Sequence, residues 1–219
     1  MRELEEIYGK IRDEFLKFNF DEVKELVRNA LKRGASPNEI IEKALRPAME
    51  EAGRRFEVGE FFLAELVVAG DLFKEVMDEI LIPEIRRAGA ETKRLGTVVI
   101  GTVRGDLHDI GKSIVATMLS AAGFEVIDLG VDVSPEKFVE AVREYDADIV
   151  AMSALLTTTM LEMKNVIEAL EQAGLRDRVK VIVGGAAVTE EFAKGIGADG
   201  YGEDAVKAVE VCKKLLGVA

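Results

Sequence analysis

From about residue 20 the apolar positions recur with helical spacing. Val23, Leu26, Val27, Ala30 and Leu31 stand at i, i+3, i+4, i+7 and i+8, one buried stripe on an amphipathic helix. Gly34 ends that helix. Ser36-Pro37-Asn38-Glu39 opens the next, with Ser36 as N-cap, Pro37 at the first helical position and Glu39 closing a capping box. A third helix runs from near Phe61 to about Ile80, before Pro83, and a short helix precedes residue 18. The first 88 or so residues therefore read as helix throughout, a bundle of four or five. On pattern alone, such a bundle is a packing or dimerisation module.

After the polar, small stretch Arg86–Arg94, which reads as a linker, the rhythm changes. Short β-branched runs appear at Thr97–Thr102, Glu125–Leu129, Asp148–Ser153 and Val179–Val183, with a weaker fifth at Asp199–Tyr201. Helical stretches fit between them, at about 109–122, 135–145 (Ser134 capping, Pro135 first), 160–173, 189–195 and 203–216. Alternating strand and helix implies a parallel sheet covered on both faces. The expected architecture is α + α/β: a helical bundle over 1–90, then a flavodoxin/Rossmann-like five-stranded parallel sheet over 95–219. Five such strands most often take the order 2-1-3-4-5, with a switch point between strands 1 and 3 where ligands bind.

Composition narrows the partners. A net charge of −12 argues against nucleic acid and anionic membrane, both of which select basic patches. The single Cys212 excludes an internal disulfide framework and fits a reducing cytoplasm. The charged start Met1-Arg2-Glu3-Leu4-Glu5-Glu6 does not read as a signal peptide, and no apolar run reaches the 18 or so residues of a membrane span. A cytoplasmic location is expected.

The chain has one histidine, His108, within Gly105-Asp106-Leu107-His108-Asp109-Ile110-Gly111 directly after the first strand. A lone histidine cannot build a zinc site, which needs three or four protein ligands. It can serve as axial ligand to a metal whose other ligands come from a macrocycle; the plain alternative is a surface-loop histidine with no task. Two further elements fall at strand ends. Ser153-x-Leu155 follows the third strand, with 41 residues between Gly111 and Ser153, and Gly184-Gly185 follows the fourth, with 28 residues between Leu155 and Gly184. Each is common alone, and a Gly-Gly pair can be a tight strand-to-helix turn. The topology should bring all three to the carboxyl edge of the sheet.

At these spacings, Asp106-x-His108-x-x-Gly111, Ser153-x-Leu155 and Gly184-Gly185 resemble the signature of cobalamin-binding domains that hold the cofactor base-off/His-on, as in methionine synthase. The helical half matches as well. Arg54-Arg55-Phe56-Glu57-Val58-Gly59-Glu60-Phe61-Phe62-Leu63-Ala64-Glu65-Leu66 resembles the cap of methyltransferase-associated corrinoid proteins, with Ala64 where proline is common. The resemblance implies roles. His108 would be the lower cobalt ligand, and Asp106 would accept a hydrogen bond from its other ring nitrogen. Thr159, where methionine synthase carries serine, would continue the relay to solvent. Gly105, Leu107, Asp109 and Leu155 would complete the loops around the cofactor. Gly111, Gly184 and Gly185 would leave the nucleotide tail a path free of side chains, Ser153 and Thr157 would bond it, and Gly202 would line its far end. Phe62, Leu66 and Val67 would shield the upper face.

The same resemblance implies a methyl shuttle of the methanol, methylamine and methoxy-aromatic systems. A substrate-specific corrinoid methyltransferase would load the methyl group onto cobalt, and a second would pass it to coenzyme M or to a tetrahydrofolate or pterin acceptor. A corrinoid reductive activator would complete the system, with no nucleic acid or membrane partner. With no second histidine and no cysteine cluster, the chain would be non-catalytic alone. Two alternatives stand beside it: the cobalamin subunit of an adenosylcobalamin mutase, which generally lacks such a cap, and a B12-dependent sensor, which usually adds a DNA-binding helix-turn-helix.

Overall fold

The structure is a computed structural model that describes residues 2–88 and 94–218. The chain separates into two compact units, Met1–Lys93 and Arg94–Ala219. Residues 89–93, the middle of the expected linker, lie outside the described residues.

The first unit is helical. Helix α1 (Arg2–Phe15) is followed by α2 (Phe20–Lys32), whose Val23, Val27 and Ala30 are fully buried as the apolar stripe requires. Gly34, at φ +90°, takes the left-handed turn that ends α2. The capping box then forms: Ser36 Oγ accepts from the Glu39 N–H at 3.2 Å, and Glu39 Oε2 accepts from the Ser36 N–H at 3.0 Å. It starts α3 (Pro37–Ile40), which passes through a π-helical turn, Ile41–Leu45, into α4 (Arg46–Glu57).

The next rod corrects an expectation. Helix α5 (Leu63–Val76) does not stop before Pro83; it widens into a second π turn, Met77–Leu81, and continues as α6 (Ile82–Ala88). Proline ordinarily breaks a helix because its ring clashes with the carbonyl four residues back and it donates nothing. Here the Ile82 N–H reaches back five residues to the Met77 carbonyl, so the wider turn lets the helix pass Pro83. Pro47 is handled in the same way, the Arg46 N–H bonding the Ile41 carbonyl. The entry to α5 survives Ala64 in place of proline because Glu65 Oε2 accepts from the Phe62 N–H at 2.9 Å.

The second unit is a five-stranded parallel sheet with the expected order β2-β1-β3-β4-β5. Its strands are β1 (Thr97–Thr102), β2 (Glu125–Asp128), β3 (Ile149–Ser153), β4 (Lys180–Gly184) and β5 (Gly200–Gly202). β1, β3 and β4 are buried along most of their length, as a sheet covered on both faces demands. The covering helices are α7 (Ile110–Ala122), α8 (Pro135–Tyr145), α9 (Glu162–Gln172), α10 (Glu190–Gly195) and α11 (Ala205–Leu216). Side-chain caps set several starts. Ser134 accepts from Lys137, Thr189 from Phe192, and Asp204 from Lys207. Asp204 as cap is why α11 begins two residues after its expected start at 203. Among the described residues no helix is long and apolar enough to cross a membrane.

Replacing Ser36 by Ala removes the acceptor of the capping box and should destabilise the protein by about 1 kcal/mol, read as a lower urea midpoint at unchanged slope.

Candidate functional site

β1 sits between β2 and β3, so its carboxyl end opens at the switch point, and the loop 103–109 leaves from there. That loop is held from both sides. The Val103 N–H donates to the Ser153 carbonyl at 3.1 Å, and Val103 also bridges to Val133 beyond β2. Asp132 Oδ1 accepts from the Gly105 N–H at 2.7 Å, while the Asp132 N–H donates to the Asp106 carbonyl at 3.0 Å. Gly105, at φ +79°, makes the turn between them. Below, the buried Thr102 hydroxyl donates to the His108 carbonyl at 2.9 Å.

His108 stands at the end of this scaffold with its side chain 52% exposed. Its Nδ1 lies 2.7 Å from Asp106 Oδ1. A carboxylate can only accept, so Nδ1 carries the hydrogen, and in the neutral ring Nε2 then holds the lone pair. Asp106 is wholly buried, and four donors satisfy it. Oδ1 takes the His108 ring and the His108 N–H (3.1 Å); Oδ2 takes the Leu155 N–H (2.8 Å) and the Thr159 hydroxyl (2.6 Å). Burial alone would raise this carboxyl's pKa. The bonds from Thr159, Leu155 and His108 outweigh it and hold Asp106 well below the usual carboxylate range. Thr159 is itself buried; its one hydroxyl hydrogen goes to Asp106 Oδ2, the shorter contact, with the Leu156 carbonyl a second acceptor at 3.1 Å. The expected sequence of contacts from His108 through Asp106 to Thr159 is thus present as geometry.

The surface around the imidazole is apolar. Leu107 and Ile110 flank it in sequence and are 71% and 70% exposed, and Leu155, Leu156 and Leu161 are exposed on the neighbouring β3–α9 loop. Half of the exposed large hydrophobic residues described in the chain therefore lie on two adjacent loops, the mark of a surface built to be covered.

The sheet register lines up the remaining residues. Thr102 pairs with Ser153, Ser153 with Gly184 and Gly184 with Gly202, one row across the carboxyl edge. Gly184 and Gly185 have a reason within the protein. A Cβ on Gly184 would lie 2.6 Å from the Gly202 carbonyl oxygen, and one on Gly185, at φ +121°, would lie 2.1 Å from that of Ala154. Gly202 packs against Ala208 in the same way. Gly111 differs: a Cβ there would meet nothing within 4 Å. Thr157 and Asp109 are exposed at the rim. In the helical unit Phe62 is 70% exposed and Val67 half-buried, whereas Leu66 is 1% exposed and offers no surface to a ligand. The sequence reading missed Thr102, Asp132, Leu156 and Lys112. Asp132 carried the only clear signal, a turn-favouring residue after Gly130. Lys112 was legible only as a charge inside the apolar run that opens α7.

A parallel sheet of this order, with loops meeting at the carboxyl end of β1, defines the class: a doubly wound α/β domain built to hold a ligand at its switch point. Among the described residues no three His, Cys, Asp or Glu side chains are grouped to hold a metal ion unaided. Comparison with known proteins agrees. A B12 binding domain family matches residues 96–210, and a second B12 binding domain family matches residues 8–81. Trimethylamine corrinoid protein 1 of Methanosarcina acetivorans is 45% identical over 99% of this chain and 100% of its own length. Dimethylamine corrinoid protein 2 of the same organism is 47% identical over 99% of both chains. The crystal structure of the methanol:cobalamin methyltransferase complex MtaBC from Methanosarcina barkeri aligns with TM-score 0.85 at 31% identity, covering 98% of this chain and 81% of that one.

The chain belongs to the methyltransferase-associated corrinoid proteins, and it binds a cobalamin-type corrinoid. The residues present fit that cofactor: an accessible ring nitrogen, an apolar surface beside it, and at Gly111 an open backbone that no packing within the protein explains.

The lowered Asp106 pKa sets an acid-side dependence. A depressed carboxyl stabilises the fold in full above its unfolded pKa of about 3.9, and that stabilisation is lost as pH falls toward the folded value. Urea unfolding of the apoprotein should therefore show Asp106→Asn markedly less stable at pH 7, with the gap closing below about pH 4.

Proposed function

We propose that this chain is a methyl carrier that holds its corrinoid through His108 Nε2 as the lower cobalt ligand. The observation that carries the reading is the His108–Asp106 pair: a buried, fully bonded carboxylate holds the imidazole by Nδ1 and leaves Nε2 bare beside exposed Leu107 and Ile110. The bound corrinoid supplies the cobalt centre that accepts a methyl group and gives it up. His108, when off the metal, can take a proton at Nε2, and Asp106 then stabilises the imidazolium through Nδ1–H. Thr159 and the Leu155 N–H keep Asp106 ionised in both conditions. Gly111, Gly184, Gly185 and Gly202, with Ser153 and Thr157, line the path of the nucleotide tail. In the helical unit Phe62 presents an exposed ring that could meet a ligand, whereas the buried Leu66 takes no direct part.

The partners we infer are a substrate-specific corrinoid methyltransferase, a second methyltransferase delivering to coenzyme M or a tetrahydrofolate-type acceptor, and a reductive activator. Near-equal identity to trimethylamine and dimethylamine corrinoid proteins favours a methylated amine as the methyl source, without ordering the two. Similarity to these proteins along the whole chain, cap included, supports a carrier over a mutase subunit or a sensor.

The test is the visible spectrum of the protein reconstituted with methylcobalamin. The wild type should show base-off/His-on absorption, and His108→Ala should retain cofactor with a base-off spectrum lacking the ligand; identical spectra would sink the assignment. Gly111→Ala separates packing from ligand approach. It should leave the apoprotein as stable or more stable by up to about 1 kcal/mol, since alanine favours helix, while retaining less cobalamin after gel filtration.

A further inference from the structure

Among the described residues four polar or charged side chains are buried, Thr102, Asp106, Lys112 and Thr159. All four belong to the end of β1, the loops after β1 and β3, or the first turn of α7. Three have tasks already: Thr102 holds the His108 carbonyl, and Asp106 and Thr159 hold the ring. Lys112 remains. Burying an ammonium costs several kcal/mol unless it is paired. Its Nζ lies 2.8 Å from Asp109 Oδ1 and donates closely to Asp128 Oδ2.

The two carboxylates belong to different loops. Asp109 follows His108 directly and stands at the N-cap of α7, where its Oδ2 accepts from Ser113 Oγ at 2.9 Å. Asp128 ends β2; its Oδ1 accepts from the Gly130 N–H at 2.9 Å, and the Gly130 carbonyl accepts from the Thr102 N–H at 3.0 Å. Both carboxylates are substantially exposed, so water could solvate them without the lysine. Packing alone would be met by an unbranched apolar side chain, and buried ion pairs are a weak source of stability. What this pair of bridges does specify is position. It ties the backbone immediately after His108 to the end of β2, whereas the Asp106 carboxylate ties the loop to the β3 side.

The geometry points to Lys112 as a positioning residue for His108, acting through Asp109 and anchored by Asp128. The inference rests on the reading of His108 as the cobalt ligand. Asp106 sets the rotation of the imidazole; Thr102 and Lys112 set the backbone from which it projects.

The chain's single histidine makes the test direct, because labelling histidine with nitrogen-15 gives the signals of one imidazole. In the wild-type apoprotein these should report one tautomer, Nδ1 protonated and Nε2 bare. Lys112→Met and Asp128→Asn should each mix the two tautomers. In the methylcobalamin-loaded protein each should lower the His-on to base-off ratio by roughly tenfold or more, the usual loss when a group supporting a metal ligand is removed. Unchanged imidazole signals and an unchanged ratio in both variants would overturn the proposal. Should Lys112→Met fail to fold, Asp128→Asn at the sheet edge decides alone. If wild type and His108→Ala share one spectrum, the ligand assignment fails, and the apoprotein signals still decide whether Lys112 positions the ring.

Discussion

Everything at the sheet edge turns on the Asp106 carboxylate. It is a buried charge, and such a charge is tolerable only when its lone pairs are met. Four donors meet them: two from His108, one from the Leu155 backbone and one from Thr159. Because those donors sit on the loops after β1 and β3, satisfying one carboxylate also locks two loops together. The cost of leaving Asp106 unpaired is thereby converted into a fixed distance between the imidazole and the β3 edge. Removing any one donor would leave a buried acceptor short, a penalty of about 1–3 kcal/mol and more for a charged group, so the arrangement is cooperative by construction.

The topology makes this possible. Strand order 2-1-3-4-5 places β1 between its sequence neighbour β2 and the later β3, so the His108 loop has a loop on either side. One side supplies Asp132 and Asp128, and the other supplies Leu155 and Thr159. The row Thr102, Ser153, Gly184 and Gly202 continues the edge toward β5. There the absence of side chains lets strands and loops approach at distances that a Cβ would forbid. Gly184 and Gly185 are thus required by the sheet before any ligand arrives, whereas Gly111 is not.

Much of this was legible in the chain itself. The stripe Val23, Val27, Ala30 and the box at Ser36 and Glu39 report local physics, and local physics governed the outcome. The strand order followed from the alternation of buried runs with amphipathic stretches. Three features were not legible. Pro83 reads as a helix stop, because the remedy, a π turn five residues earlier, leaves no mark in the apolar period. Thr159 was singled out by its position after β3, but the closing of its hydroxyl onto Asp106 is a tertiary fact. Lys112 looks like an ordinary charged residue on a helix, and only the fold shows two carboxylates converging on it. Periodicity reports which face is buried; it does not report which buried polar groups find each other.

The preformed state of the site has an energetic consequence for a carrier. Ordering a free side chain on binding costs about 0.5–1.5 kcal/mol, and each 1.4 kcal/mol is a factor of ten in affinity. His108 is already held by its ring nitrogen, its N–H and its carbonyl, so the proposed ligation would spend little on ordering it. A carrier must also release its ligand bond when the metal no longer favours an axial donor. A mobile histidine would lose that bond to disorder and would have to be recaptured at full entropic cost. A histidine fixed by Asp106 would stay in place when unligated, with its partner charge already present. Under the proposed ligation, the same preorganisation that would strengthen the bond would also keep its breaking reversible, which is the property a methyl carrier needs from a lower ligand.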